Sequence, residues 1–203
     1  MELCFASNNP HKLTEVADVL GPSFTIRTLA DIGCTDELPE TTGTIPGNSA
    51  QKAHYVFDHF NVACFADDSG LEVDALNGEP GVDSAFYAGG DKPGETRSHE
   101  RNIAKLLKNL DGQTNRRAQF RTVITLVAPD ATGSPTEHQF EGIVPGTILT
   151  EPRGTEGFGY DPVFLPDGYT QTFAEMPLSE KSKISHRARA LAGLVGFLSR
   201  KES

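Results

Sequence analysis

The 203-residue chain is short of positive charge, of cysteine and of long apolar runs. Its formal net charge is −10, so no bulk attraction to DNA, RNA or an anionic membrane is expected. A small anionic ligand is still allowed, because a few local lysines and arginines can line a positive pocket in an acidic protein. The three cysteines, Cys4, Cys34 and Cys64, have no metal-like spacing. Cys4 and Cys64 stand in apolar runs and read as small core residues of a protein kept in a reducing compartment. No stretch reaches about 18 apolar residues, and the chain opens as a strand with no basic leader. These absences predict a cytoplasmic protein with no membrane and no nucleic-acid partner. Repeats and disordered linkers are also missing. So are both common nucleotide fingerprints, the Gly-x-x-x-x-Gly-Lys-[Ser/Thr] phosphate loop and Gly-x-Gly-x-x-Gly.

What is present is an alternation of strand and helix patterns, which predicts an α/β fold over residues 1–203 as one domain, with one core or two lobes. The stretch that organises it is Phe65-Ala66-Asp67-Asp68-Ser69-Gly70-Leu71-Glu72-Val73. It reads as a strand ending at Asp67-Asp68, a turn at Ser69-Gly70, and re-entry into the sheet. Adjacent residues of an extended chain face opposite ways, so one aspartate can face a cleft while the other holds local backbone. Two neighbouring carboxylates repel unless cations or donors meet them.

Upstream, Leu3 to Ala6 predicts a strand, and Leu13, Val16, Ala17 and Leu20 predict a helix capped by Asn9 and stopped at Gly21-Pro22. Phe24 to Leu29 alternates as a second strand. A long polar loop through Glu40 leads to a helix with Asn48, Lys52, Val56 and Phe57. Downstream come a turn at 77–81, a Gly-rich loop after Ser84, and a helix over 97–110. A strand over 119–127 follows, with an antiparallel partner at 138–144 that continues or pairs again at 146–149. A brief strand at 163–165, a helical turn at 179–184 and a last helix opened by Ser185-His186-Arg187 complete the pattern.

The polar groups suggest one ligand chemistry. Carboxylates at Glu40 and Asp67-Asp68 suit Mg²⁺. Lys12 and Lys52, with a helix N-terminus after Ser7 and Asn9, suit polyphosphate. Phe158, flanked by glycines, can stack on a base, and His186 and Arg187 can donate to base oxygens. Together they point to a nucleoside triphosphate with Mg²⁺.

The chain resembles the Ham1 family, the inosine triphosphate or dITP/XTP pyrophosphatases. The matching stretches are Ala6-Ser7-Asn8-Asn9 with Lys12, Glu40-Thr41, Asn48 with Lys52, and Ala66 to Leu71. Pro80-Gly81-Val82, Gly157 to Pro162, and Lys181 with Ser185-His186-Arg187 complete the set. They span the chain in the family's order. The resemblance implies a long twisted mixed sheet with flanking helices, forming two lobes around a central groove. It implies homodimers, Mg²⁺, and hydrolysis of dITP, ITP and XTP to the monophosphate and pyrophosphate. Carried onto this chain, Ser7, Asn9, Lys12 and Lys52 bind the phosphates, and Ser69 binds the substrate. Glu40 and Asp68 serve the metal, with Asp68 also the base for the attacking water. Phe158, Tyr160, Asp161, Lys181, His186 and Arg187 line the base pocket. Three positions depart from the usual pattern: Thr42 within Glu40-Thr41-Thr42-Gly43, Gly47 where a glutamate is common, and Phe86 where an arginine is common. Two other readings fit parts of this: a Maf-like pyrophosphatase for other modified nucleotides, and a nucleotide-binding protein without turnover. The Ser185-His186-Arg187 and Phe158 to Pro162 stretches argue against the first, and intact Asp68 and Glu40 against the second.

Overall fold

The computed structural model describes residues 2–20, 24–90 and 98–201. Among them the strands are β1 (Glu2–Phe5), β2 (Thr25–Arg27), β3 (Cys64–Val73), β4 (Pro80–Gly81), β5 (Arg117–Pro129), β6 (Pro135–Ile148) and β7 (Phe164–Pro166). The α-helices are α1 (Pro10–Leu20), α2 (Ile45–Phe60), α3 (His99–Asn109), α4 (Leu178–Ile184) and α5 (His186–Lys201). The strands form one mixed sheet in the order β2-β1-β3-β5-β6-β7, with β4 on β3. β1 runs parallel to both β2 and β3, whereas β3–β4 and β6–β7 are antiparallel. The expected α/β class holds.

Two compact units divide the chain: Met1–Asp68, Thr122–Gly142 and His186–Ser203 in the first, Ser69–Arg121 and Ile143–Ser185 in the second. In the first unit, strand alternation sorts the core. Leu3, Phe5 and Phe65 face α1 and α5, packing with Val16, Leu20, Leu191 and Leu194. Cys4, Ala6, Cys64 and Ala66 face α2, packing with Ala53, Val56 and Phe57. Phe5 and Phe65 stack with centroids 4.9 Å apart. Fully burying a Phe or Leu side chain contributes roughly 1.5–3 kcal/mol. α2 starts at Thr44, whose side chain accepts from the Gly47 N–H, and ends on left-handed Asn61. In the second unit, Leu71, Val73, Leu106, Leu110, Val144 and Ile148 share a core with Phe120, Phe164 and Phe173. These three rings pack at 4.6 to 6.0 Å.

The turn expected at Ser69-Gly70 is corrected. β3 runs unbroken from Cys64 to Val73. Its residues are paired with β1 at Cys64 and Phe65 and with β4 at Leu71 and Glu72, and ladder pairing overrides a local turn signal. The segments expected at 138–144 and 146–149 form the single strand β6. The α1 stop at Gly21-Pro22 and the predicted first residue of the third helix, Arg97, lie outside the described residues.

Candidate active site

The alternation that sorts the core also places the two aspartates. Counting on from Phe65, Asp67 falls on the α1/α5 side of β3; counting from Ala66, Asp68 falls on the α2 side. Asp67 is fully buried. Its Oδ1 accepts from Lys12 Nζ at 3.0 Å and its Oδ2 from Arg187 Nε at 3.0 Å. Its carbonyl oxygen accepts from Lys52 Nζ at 2.8 Å and from Lys12 Nζ at 3.4 Å. One residue therefore ties three cations from three helices. Arg187, 1% exposed, also bonds the Glu15 carboxylate on α1.

Local structure sets these side chains in place. Asn9 caps α1 as expected, its Oδ1 accepting from the N–H groups of His11 (3.0 Å) and Lys12 (3.3 Å). Ser7 Oγ accepts from Asn9 N–H at 3.2 Å, which shapes the turn between β1 and α1. Lys12 sits in the first turn of the helix, its side chain 15% exposed. Arg187 depends on how closely β6 approaches the first turn of α5. A Cβ at Gly142 would overlap His186 O and lie 2.6 Å from Ala190 N, so only glycine lets the helix start there. Lys52 reaches up from α2, its ammonium bonded to the Glu40 carboxylate and 4.0 Å from Asp68 Oδ1. Glu40 stands in the loop before α2, its side chain 41% exposed.

The surroundings tune the two aspartates in opposite directions. Burial alone pushes Asp67 up, but Lys12, Arg187 and Lys52 together outweigh it and hold its carboxyl well below the usual range. For Asp68 burial wins: Lys52 and Lys12 pull down, but the carboxyl is raised, with Glu40 and Asp67 adding to the rise. Desolvation lowers Lys12 despite Asp67. Lys52 is raised, because Asp68, Glu40 and Asp67 together overcome its burial. Among the described residues, no group of three or more His, Cys, Asp or Glu side chains is placed to hold a metal ion. The two carboxylates on Lys52 are hard oxygen donors already accepting a cation between them, which fits a divalent ion completing its shell with water and phosphate oxygens.

The second unit carries the aromatic loop. Asp161 Oδ2 accepts from Lys181 Nζ at 2.6 Å and from the Phe158 N–H at 2.8 Å. Both Asp161 and Lys181 are buried. The Lys181 ammonium lies 5.1 Å from the Phe158 ring centroid, and His99 is the ring's neighbour at 6.3 Å. Gly157 takes φ +74°, and a Cβ there would overlap Asp161 Oδ2, so glycine is required where the loop folds over the carboxylate. Tyr160 is buried and donates to Ser84 O at 2.9 Å.

Of the expected residues, the first unit thus gathers Lys12, Lys52, Glu40, Asp68 and Arg187 around Asp67, with Ser7 and Asn9 at the start of α1. Phe158, Asp161 and Lys181 come together in the second unit, where Tyr160 anchors the same loop. Ser69 follows Asp68 on β3 and is half-buried, and His186 is the buried first residue of α5. Arg187, expected with the base-pocket residues, spends its guanidinium on Glu15 and Asp67. Two residues escaped the sequence reading, Asp67 as a shared anchor and Glu15 as the second carboxylate on Arg187. The signal for Glu15 is its position three residues beyond Lys12 on α1 and next to the apolar Val16, where a carboxylate needs a cation.

Cations converging on a buried anchor, in an α/β fold, make a site whose charge suits a polyphosphate. The chain belongs to the Ham1 family, whose model matches residues 3–197. It is similar to a dITP/XTP pyrophosphatase of Flavobacterium psychrophilum, 49% identical over 197 residues, which cover 97% of this chain and 98% of that protein. The Ham1 protein of Staphylococcus aureus superposes with a TM-score of 0.86 at 38% identity, covering 99% of this chain and 100% of that one. A HAM1 protein from Coxiella burnetii gives 0.85 at 33% identity, covering 98% and 99%.

Proposed function

We propose that this chain hydrolyses nonstandard purine nucleoside triphosphates, dITP, ITP and XTP, to the monophosphate and pyrophosphate. The observation that carries the chemistry is Asp68. It is a carboxylate of raised pKa beside Glu40 and Lys52, one residue from the anchor that holds Lys12. The dITP/XTP specificity is taken from the relatives.

Asp68 accepts the proton of the water that attacks the α-phosphorus, and its raised pKa makes it a better base than an ordinary surface aspartate. Lys12 and Lys52 receive the charge gathered on the leaving pyrophosphate; both are held in place before substrate arrives, so little reorganisation is needed. Glu40 and Asp68 are the residues that would hold Mg²⁺, which when bound polarises phosphate oxygens and lowers the cost of the developing charge. Phe158 offers a ring face for the base, on a loop locked by Asp161 and Lys181. Hypoxanthine and xanthine present an acceptor at O6 where adenine presents a donor. A donor at that position favours the first two, and a buried mismatch costs about 1–3 kcal/mol. A homodimer and a cytoplasmic setting belong to the same reading; light scattering of the purified chain tests the first. No helix among the described residues is long and apolar enough to cross a membrane.

Product analysis with dITP, ITP, XTP, dATP and dGTP, with and without Mg²⁺, tests the proposal. Monophosphate and pyrophosphate from the first three, dependent on Mg²⁺ and weak for the last two, is the expected outcome. Diphosphate and inorganic phosphate would move the attack to the γ-phosphorus and overturn it. Tight binding without turnover would make the chain a nucleotide-binding protein.

A further inference from the structure

Glu40 is a site carboxylate on irregular backbone, and a ligand on a loop is only as well placed as the contacts that hold the loop. Two pairs of those contacts come from the start of α2. The Thr41 N–H donates to Gln51 Oε1 at 2.9 Å, and Gln51 Nε2 donates back to Thr41 Oγ1 at 2.9 Å. One residue on, the Thr42 N–H donates to Asn48 Oδ1 at 3.1 Å, and Thr42 Oγ1 lies 2.9 Å from the same oxygen. Positions 51 and 52 lie three and four residues beyond 48, so each neighbours it on the helix surface. The segment is therefore strapped to the stretch of α2 that carries Lys52, the ammonium on which Glu40 ends.

Gly47 belongs to this arrangement. A Cβ there would overlap Thr42 Oγ1 and lie 2.7 Å from Thr44 Oγ1. The missing side chain is what lets the strap lie against the first turn of α2. Thr42 and Gly47, two of the departures noted in the sequence, are thus one structural adjustment.

We propose that Gln51, acting through Thr41, is a positioning residue that fixes the Glu40 carboxylate for metal binding. The proposal rests on the reading of Glu40 as a metal ligand. A primary amide suits the task because it accepts from a backbone N–H and donates to a hydroxyl at once, which neither a carboxylate nor an ammonium can do. Thr41 and Thr42 are solvent-exposed, so loss of the Gln51 bonds should cost the fold little.

The test uses wild type, Q51L, E40Q and the E40Q/Q51L double variant, with Mn²⁺ as the probe. Mn²⁺ binding is read by EPR without nucleotide, the half-activating Mg²⁺ concentration by dITP hydrolysis, and stability by urea denaturation. Q51L should weaken Mn²⁺ binding and raise the half-activating Mg²⁺ by about tenfold, the lower end for partners that orient metal ligands. Its turnover at saturating Mg²⁺ and its urea midpoint should stay near wild type. In the E40Q background Q51L should change nothing further, since the two act through one carboxylate. T41S, which keeps the hydroxyl, should bind Mn²⁺ like wild type, and T41V should not. Wild-type Mn²⁺ affinity in Q51L, or an equal loss with and without Glu40, would overturn the proposal while leaving the metal site in place. Wild-type affinity in E40Q would remove the metal reading itself, and the positioning role with it.

Discussion

The two sides of β3 at Asp67 and Asp68 make an instructive contrast. They hold the same residue type, one position apart, and treat it in opposite ways. On the α1/α5 side, Asp67 is closed in, with both carboxylate oxygens and the carbonyl committed to Lys12, Arg187 and Lys52. On the α2 side, Asp68 faces a lysine 4.0 Å away and a second carboxylate on a partly exposed loop. Both are desolvated; the number and distance of the cations decide the sign. Asp67 ends below the ordinary aspartate range and Asp68 above it. The Asp67 side keeps cations in place, and the Asp68 side leaves a carboxylate with fewer and more distant cations.

Neutralising each aspartate in turn gives the sharpest test. D67N removes the anion shared by Lys12 and Arg187, and breaking a buried pair from one side costs about 3–5 kcal/mol. It should shift the urea midpoint strongly and reduce activity as the cations lose their anchor. D68N should do the reverse. Its stability should hold or rise, because burial already penalises the charged form, while kcat on dITP falls on the order of 10² or more. Near-normal turnover in D68N, or an unshifted midpoint in D67N, would break the contrast.

A carboxyl NMR titration of the metal-free protein tests the same point without substitution. Asp68 should protonate above the ordinary value of about 3.9, in the folded state. Protonating it relieves a folding penalty, so this step should not unfold the protein. Asp67 should stay ionised through that range. Its contribution to stability is present above about pH 3.9 and is lost as pH falls through its lower folded pKa, so it should protonate only as the fold gives way in acid. Simultaneous titration of the two would remove the distinction.

The smallest effect is a check on how dry the α2 side is. Cys4 and Cys64 share that face with Asp68, and burial pushes their thiols up to about 11 and about 12. At pH 8 the thiolate fraction is then roughly one in a thousand or less, and the thiolate is the reactive form. Cys34 is buried as well. Ellman's reagent should find no fast-reacting thiol in the native protein and three in denaturant; a fast native phase would mean that water reaches the face.

Much of this was legible beforehand. Asn9 caps α1 because an Asn before a Pro-started helix has few other uses. The 12-residue interval from Glu40 to Lys52 holds their side chains together in the folded chain. The opposite facing of Asp67 and Asp68 follows from extended backbone alone. Other features were not legible. Ser69-Gly70 reads as a turn in isolation, yet β3 passes straight through it. That the Arg187 guanidinium bonds both Glu15 and Asp67 has no local signal either. Gly47 reads as a departure until Thr42 is seen in the space it leaves.

The sequence by itself determined the alternation of elements, the helix caps, the pairing of acidic and basic positions available to a site, and the family they belong to. Those properties live in short windows, where periodicity and side-chain chemistry act. The resemblance had already named Asp68 as the base, but the tertiary structure alone decided which aspartate anchors the cations. That choice depends on what each face of β3 meets. Asp67 finds its partners 55 and 120 residues away, at separations where no local pattern carries information about contact.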